Sequence, residues 1–338
     1  MSASHRRKPP GVDPSPRANR EATASTMPPS TPLRRALLDL ADRLDAVPLT
    51  LVAAPAGSGK TTLLGAWREQ LAARDVPSAF LDLGPLHAHG PILLADLVAA
   101  IRSARPGFGA ESERTLAQLG EGDDWRLLAR AFQRDRAADP HLLVVVLDNF
   151  HELGAETAGA RLVDEWLRAL IPNLHWVIAT RGGTPAVTAR LRAADAVLEV
   201  DTDALSLRSE EVQQVLAARG VAPEPELVAR LLARTGGWAT GVQVAARRLA
   251  ALPEGERAGY LERLAREPDL FGFLTAEVLR DQPDGLRDAV EIVALAGGAC
   301  TPAEVAELTG DPRTPEWIAR AVDHGILTGD GDAVHTHQ

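Results

Sequence analysis

The sequence contains very little lysine and almost no cysteine. Only Lys8 and Lys60 among the 36 lysine and arginine residues are lysines, so almost every fixed positive charge is an arginine. The single cysteine, Cys300, excludes an intrachain disulfide framework and suits a reducing compartment. No apolar run approaches the length that crosses a membrane. We therefore expect a cytoplasmic protein without a membrane span.

The charge of the chain excludes a further class of functions. A formal net charge of −10 argues against a protein that coats nucleic acid, because that role needs an excess of positive charge. Residues 1–30 differ from the rest, since they are rich in proline and carry more basic than acidic residues. No apolar segment follows their basic cluster, which argues against a signal peptide and predicts a disordered tail.

The segment LTLVAAPAGSGKTTLL, residues 49–64, carries the most specific motif. An apolar run typical of a β-strand is followed by a glycine-containing loop and then by the start of a helix. The letters from Ala54 to Thr61 fit the phosphate-binding P-loop, with alanine at the first position. Lys60, the only lysine outside the tail, stands where the motif requires one, which argues against an accidental match.

In a P-loop, backbone N–H groups and the positive end of a helix surround the β-phosphate. We expect Lys60 to reach the β- and γ-phosphates and Thr61 to hold Mg²⁺. Gly57 and Gly59 let the chain curl without Cβ clashes. The expected nucleotide contacts are Ala56, Gly57, Ser58, Gly59, Lys60, Thr61 and Thr62.

Strand and helix patterns alternate over residues 31–204, which predicts an α/β domain with a parallel sheet and helices on both faces. The strand-like runs lie at residues 49–53, 77–83, 141–148, 174–180 and 196–200. The later patterns are helical, and they predict a helical domain over 205–280. Residues 281–338 show three helices and a hairpin, the order of a winged helix. Helices beyond the sheet are expected at 209–219, 224–235, 238–251, 254–266, 268–280, 285–297, 302–309 and 314–325.

Asp148 ends the most apolar strand run, as the Walker B acid of P-loop ATPases does. In that role its carboxylate helps to hold Mg²⁺, and the alternative is a cap on a strand-to-loop turn. Many ATPases place a second acid at the next position, which is Asn149 here. Because an amide cannot serve as the base that activates water, we expect slow hydrolysis. His151 and Glu152 are the alternative candidates for that base.

Two further segments are candidates for nucleotide contacts. Arg181 directly follows a strand run and either senses the γ-phosphate or is a surface arginine before two glycines. In the segment 235–241, either Gly237 and Trp238 contact the adenine, or the segment supplies a C-cap glycine and a core tryptophan. The histidine pairs 87/89 and 335/337 lack a third ligand at a convincing spacing, so we expect no metal site there.

Several linked motifs point to a known family. In chain order they are the P-loop, LLVVVLDNFHEL, LHWVIATRGGTP, LSLRSEEV, RTGGWATGVQVA and FLTAEVLRDQP. Together they resemble the STAND signalling ATPases, specifically the amino-terminal half of the large MalT-like, LuxR-type transcriptional regulators. The resemblance covers about residues 31–338. It implies a nucleotide-binding domain, a helical domain and a winged-helix domain, in that order.

The resemblance also implies roles for single residues. Lys60 and Thr61 match the P-loop ligands, Asp148 the Walker B acid and Arg181 the sensor arginine. The trio Gly237, Trp238 and Ala239 matches the GxP motif over the base, with alanine in place of proline. A winged-helix histidine of the family reaches the ADP β-phosphate and locks the resting state; His337 is the better match and His335 the lesser. The chain ends at Gln338, where family members continue into a sensor domain and a DNA-binding helix-turn-helix.

Other functions fit the sequence less well. GTP is disfavoured because no lysine follows Lys60, so the base-reading [NT]KxD motif is absent. A P-loop kinase or other small-molecule phosphotransferase is the enzyme alternative, although the long helical part after the sheet does not resemble a lid. A winged-helix DNA-binding regulator is the other alternative. From residue 281 onward, however, eleven acids face three arginines, a balance that phosphate would repel.

The sequence therefore predicts a switch that is operated by ATP and ADP, with Mg²⁺ as cofactor. ADP would hold the α/β sheet and the winged helix together. The third phosphate of ATP would meet Arg181, release the winged helix and allow self-association, since a ligand shifts such an equilibrium through its different affinity for the two states. We expect neither direct DNA binding nor membrane contact from this chain.

Overall fold

A five-stranded parallel sheet organises the amino-terminal part of the chain. The computed structural model describes residues 33, 35–43, 47–119, 124–139, 141–262, 264, 279, 282–296, 299–323, 327–330 and 333–336. The strands are β1 (Leu49–Ala53), β2 (Ser78–Asp82), β3 (Leu143–Asp148), β4 (Leu174–Thr180) and β5 (Val197–Val200). They lie in the order β2-β3-β4-β1-β5, and every neighbouring pair is parallel. The predicted α/β fold with a parallel sheet is therefore confirmed.

Helices connect these strands, as parallel strands require. The connecting helices are α2 (Lys60–Ala73), α3 (Gly90–Ala104), α4 (Ala110–Gln118), α5 (Trp125–Ala138), α6 (Ala158–Arg168) and α7 (Thr188–Ala193). In addition, α1 (Arg35–Leu38) precedes β1 and α8 (Thr202–Leu205) follows β5. Short 3₁₀ segments cover Asp39–Arg43, Pro85–Ala88 and Phe150–Leu153. The helices α4, α6, α7 and α8 are not among the elements that the sequence patterns predict.

The sheet is buried on both faces because alternate side chains of its central strands enter two different apolar cores. Val145 and Ile178 belong to one core, whereas Val144 and Val177 belong to the other. The first core also holds an aromatic group in which the Trp166 and Trp176 rings stack with centroids 5.6 Å apart. This two-sided burial explains the continuous apolar runs in the sequence.

The middle of the described chain has an apolar core of its own. It is formed by α9 (Ser209–Ala217), α10 (Pro225–Thr235), α11 (Ala239–Ala251) and α12 (Glu254–Glu262). We call their buried apolar side chains the helical cluster. Leu205 still packs in the sheet core, whereas Leu207 already belongs to the helical cluster. The chain therefore changes from one core to the other within two residues.

The last described segment forms a fourth core. It contains α13 (Asp284–Ala296), α14 (Pro302–Thr309), α15 (Thr314–Asp323) and the antiparallel strands β6 (Leu327–Asp330) and β7 (Ala333–Thr336). Cys300 forms an isolated bridge with Val334 of β7. These elements follow the order predicted from the sequence, but the winged-helix assignment and all predicted domain boundaries stay predictions. The helix expected at 268–280 lies outside the described residues except for Leu279.

Within the described ranges, no helix is long and apolar enough to cross a membrane.

Candidate functional site

The loop between β1 and α2 has the backbone shape that the P-loop motif predicts. Gly57 has φ +73° and Gly59 has φ +93°, both in the left-handed region that residues with a Cβ avoid. Gly59 is the N-cap of α2, which begins at Lys60. The loop therefore leads directly into the positive end of a 14-residue helix, the place where an anion binds best.

Lys60 is buried beneath this loop. It is 7% exposed, and its Nζ donates to the carbonyl oxygens of Ala54 at 2.6 Å and Pro55 at 2.7 Å. Burial first, and then the positive charge of Arg181, lower the pKa of Lys60 to about 8, while the charge of Asp148 opposes the change. The site therefore holds a cation in surroundings that stabilise it poorly, which favours an added anion.

Thr61 and Asp148 meet across the site. The Thr61 hydroxyl donates to Asp148 Oδ2 at 3.1 Å, although the two residues are 87 positions apart in the chain. Burial raises the pKa of Asp148, and the charge of Asp82 adds to that rise. The backbone N–H of Asn149, the Thr61 hydroxyl and the charge of Lys60 oppose it. A hydroxyl and a carboxylate on adjacent elements are the oxygen donors that Mg²⁺ prefers.

The residues of the loop fit a bound phosphate group. Ser58 is 6% exposed, and its Oγ has no hydrogen-bond partner among the described residues. A buried hydroxyl of this kind normally has a hydrogen-bond partner, so a ligand oxygen is a suitable partner for Ser58 Oγ. Thr62, the remaining predicted contact, lies in the first turn of α2. A nucleotide with Mg²⁺ is therefore compatible with the donors present, although the assignment of individual contacts stays a prediction.

The residue after Asp148, Asn149, is hydrogen-bonded to the neighbouring strand β2. Asn149 has φ +57°, and its Nδ2 donates to Asp82 Oδ1 at 2.8 Å. Asp82 ends β2 and stands in register with Asp148 at the end of β3. The candidate bases His151 and Glu152 lie in the following 3₁₀ segment and face each other, with His151 Nε2 at 3.4 Å from Glu152 Oε1. A second carboxylate thus comes from β2, which the sequence analysis did not identify.

Arg181 lies directly after β4 and is half-buried. Its positive charge contributes to the low pKa of Lys60, so the two cations face the same region. This location agrees with the expected place of a phosphate sensor, but the sensor role stays a prediction.

Residues of the segment 235–241 differ in whether they contact the candidate site or pack within the fold. Gly237 has φ +77° and packs on the backbone of Leu207, whose carbonyl oxygen would lie 2.4 Å from an added Cβ. Gly237 is thus placed by its packing on Leu207, whereas the C-cap of α10 is its neighbour Gly236. Trp238, in contrast, lies on the P-loop and donates from Nε1 to the Ala56 carbonyl at 3.0 Å. The Cβ of Ala239 is 4.0 Å from the position that a Cβ on Gly59 would take.

Thr240 is a contact that the sequence analysis missed. Its backbone N–H and its hydroxyl both donate to the Gly57 carbonyl, at 3.1 and 3.0 Å. The only hint in the sequence is its place two residues after Trp238. The two predicted histidines cannot be placed in the same way: His337 lies outside the described residues, and His335 is known only as a position on β7 in register with Thr328.

Known proteins resemble this chain in sequence. The serine/threonine-protein kinase PknK of Mycobacterium tuberculosis is 27% identical over 257 residues, a match that covers 75% of this chain and 22% of PknK. The HTH-type transcriptional regulator MalT of Cronobacter sakazakii is 28% identical over 270 residues, or 78% of this chain and 29% of MalT. The chain thus spans less than a third of the length of these curated relatives.

A solved structure resembles the chain in fold. The Walker-type ATPase of Pyrococcus abyssi superposes with a TM-score of 0.56, covers 90% of this chain and 93% of its own, and is 14% identical. At that identity the likeness shows the fold alone. No family model matches the chain. The predicted resemblance to MalT-like regulators is confirmed, and the chain has a P-loop ATPase fold.

Proposed function

We propose that this chain is an ATP- and ADP-binding regulatory module of the STAND type. The observation that carries the proposal is the meeting of Lys60, Thr61 and Asp148 at the carboxyl edge of the parallel sheet. In open α/β sheets, ligands bind in the crevice at that edge. The curated MalT relatives are transcriptional regulators, which supports a regulatory rather than a metabolic role.

Each part of the site has a task in this proposal. The loop N–H groups and Lys60 bind the phosphates, and Thr61 with Asp148 hold Mg²⁺. The metal ion, when bound, neutralises charge on the phosphate oxygens. Trp238 and Ala239 border the nucleotide from the helical side. The lone Ser58 hydroxyl supplies one more group for a phosphate oxygen.

We expect hydrolysis to be slow. The Asn149 side chain is an amide, cannot accept a proton at neutral pH and is already bonded to Asp82. The bound nucleotide would therefore persist, which suits a switch better than an enzyme of rapid turnover. This module would act in the cytoplasm, as the cysteine content predicts.

The switch itself follows from two states with different nucleotide preferences. ADP favours a resting state in which the carboxy-terminal segment is held against the sheet through His337. ATP adds a third phosphate beside Arg181, disfavours that state and permits self-association. ATP can shift the equilibrium only as far as its affinities for the two states differ.

Calorimetric titration with ADP and ATP in the presence of Mg²⁺ tests nucleotide binding. We expect Lys60→Ala to abolish binding of both nucleotides, because it removes the buried cation. Lys8→Ala removes the only other lysine and is the matched control, with binding unchanged. A wild-type protein that binds neither nucleotide, or a Lys60→Ala variant that binds like the wild type, contradicts the proposal.

The two-state part requires a separate measurement. We expect His337→Ala to weaken ADP binding more than ATP binding, because only the resting state uses this histidine. Equal losses for both nucleotides would exclude the histidine clamp. Sedimentation velocity with ADP and with a non-hydrolysable ATP analogue then tests self-association, which should increase only with the analogue. The same mass in both samples contradicts that step.

A further inference from the structure

The segment at the start of α11 donates hydrogen bonds to carbonyl groups of the P-loop between β1 and α2, which is called the phosphate loop below. Trp238 Nε1 donates to the Ala56 carbonyl, and the backbone N–H and hydroxyl of Thr240 both donate to the Gly57 carbonyl. These contacts connect residues more than 180 positions apart in the chain. Two successive loop carbonyls therefore have their partners on the same helical segment.

These bonds fix the direction of two N–H groups. A peptide group is planar and trans, so its C=O and its N–H point in opposite directions. The Ala56 carbonyl shares its peptide group with the N–H of Gly57, and the Gly57 carbonyl shares its group with the N–H of Ser58. When Trp238 and Thr240 hold the carbonyls toward α11, both N–H groups are directed away from α11. That is the orientation in which a P-loop donates to phosphate.

The packing is too tight for the loop to turn freely. A Cβ on Gly57 would lie 2.5 Å from Thr240 Oγ1 and 3.0 Å from the Trp238 ring. The loop thus approaches α11 through a residue without a side chain. Rotation of the Gly57 peptide group would break both bonds from Thr240 at once and leave its carbonyl unpaired.

The helical side of this contact is itself well anchored. Ala239, Val242 and Ala245 of α11 are 5% exposed or less and belong to the helical cluster. The Leu207 N–H donates to the Gly237 carbonyl at 2.8 Å, just before Trp238. A shift of the helical cluster relative to the sheet would therefore strain or break its hydrogen bonds to the phosphate loop. A change in the loop conformation would strain the same bonds.

We infer that Trp238 and Thr240 are positioning residues that hold the phosphate loop in its binding shape and couple phosphate binding to the docking of the helical cluster. The inference rests on the proposed function. Linkage makes the coupling reciprocal: docking strengthens nucleotide binding, and the nucleotide strengthens docking by the same factor. Trp238 acts here through the loop backbone, a role different from the base contact that the GxP match implies.

Substitutions at Thr240 in the full chain test this inference. Thr240→Val keeps the shape and the backbone bond but removes the hydroxyl, so we expect ADP affinity to fall about fivefold, as loss of one hydrogen bond predicts. Thr240→Ser retains the hydroxyl and should bind within about twofold of the wild type. Trp238→Phe, which removes the indole N–H, should give a loss similar to that of Thr240→Val.

A control variant and a second measurement distinguish the positioning role from a general contribution to stability. Val228→Ala truncates a buried apolar side chain of the helical cluster, in α10, and removes no hydrogen-bonding group. It should lower stability without changing ADP affinity. Amide hydrogen exchange of α11 provides the reciprocal measurement: ADP should slow exchange in the wild type, and Thr240→Val should reduce that protection.

The outcomes separate the inference from the function on which it rests. ADP binding of equal strength by the wild type and Thr240→Val overturns the inference alone. So does an equal loss of affinity in Thr240→Val and Val228→Ala, because affinity would then follow the general stability of the helical region. A wild-type protein that binds no ADP overturns the proposed function and, with it, this inference.

Discussion

The two sides of the candidate site are built by different means. On the loop side, the geometry is a property of the main chain: two left-handed glycines, carbonyls held by Trp238 and Thr240, and Lys60 beneath them. On the strand-end side, the geometry is a property of side chains. Asp82 and Asp148 meet there because β2 and β3 are adjacent and in register.

This difference determines which changes each side can tolerate. A main-chain site fails when a small added atom forces the backbone to move, and salt has little effect on such a failure. A site of paired carboxylates keeps its shape when a carboxylate becomes an amide, but its proton affinity changes and salt screens that change. The following predictions test this contrast between a steric side and an electrostatic side.

The largest expected effect concerns the buried cation. Burial and the charge of Arg181 lower the pKa of Lys60 from 10.5 to about 8, so the nucleotide-free folded protein binds fewer protons than the unfolded chain between those pH values. The free energy of unfolding should therefore rise with pH across this window, by up to about 3 kcal/mol. Urea unfolding at pH 7.5, 9 and 10.5 measures the rise.

Lys60→Met removes the cation and should remove this rise. The variant should also be more stable than the wild type at pH 7.5, where a protonated Lys60 is a cost to the fold. Other groups that titrate in the window are common to both proteins, so the difference between them isolates Lys60. Parallel pH profiles for the two proteins would contradict the lowered pKa.

A steric change in the loop should have the next largest effect. Gly57→Ala places a Cβ at φ +73° and against Thr240, which should lower the free energy of unfolding by about 2 kcal/mol. ADP affinity should fall more than tenfold, because the loop must leave its binding shape. Thermal unfolding and calorimetry at 0.1 and 1 M salt measure both effects, and the stability loss should be the same at both salt concentrations.

Gly65→Ala is the matched control for this substitution. Gly65 lies inside α2, and a Cβ there meets no atom within 4 Å. Alanine favours the helix, so this variant should gain about 0.5–1 kcal/mol and bind ADP normally. Equal behaviour of the two variants would mean that the loop keeps its binding shape with a side chain at position 57.

The contrast also explains what the sequence could predict. The strand β1, the loop and the start of α2 follow one another in the chain, so a local motif was sufficient to identify them. The strands β1 and β4 match their predicted bounds because their burial on both faces leaves a mostly apolar run of residues. The fold class and the location of the loop were therefore predictable from local pattern.

Features that depend on distant partners could not be predicted in this way. The N-terminus of α4 is capped by Asp135 of α5, which accepts from the backbone N–H groups of Glu111 and Ser112. The Thr240 contact and the approach of Asp82 to Asp148 depend on strand order and domain packing, which no local spacing encodes. The helix α6 is different, because Leu162, Val163 and Trp166 stand at helical spacing and the pattern was available.

The smallest expected effect concerns the strand-end side. The charge of Asp82 helps to raise the pKa of Asp148, so Asp82→Asn should lower it while an amide oxygen still accepts from Asn149. A raised carboxyl pKa means that the free energy of unfolding falls as pH rises from the unfolded to the folded pKa. Asp82→Asn should reduce that fall by a few tenths of a kcal/mol, since Asp82 is exposed. Carbon-13 NMR titration of Asp148 in protein free of nucleotide and Mg²⁺ measures the shift.

Salt and a second variant determine whether this shift is electrostatic. In 1 M salt the effect of Asp82→Asn on the pKa of Asp148 should shrink, because the Debye length falls to about 3 Å. Asp96→Asn, which changes an exposed carboxylate paired with His87 instead, should leave the pKa of Asp148 unchanged. If the shift survived high salt, it would arise from a rearranged strand end, and the strand-end side would then be as steric as the loop.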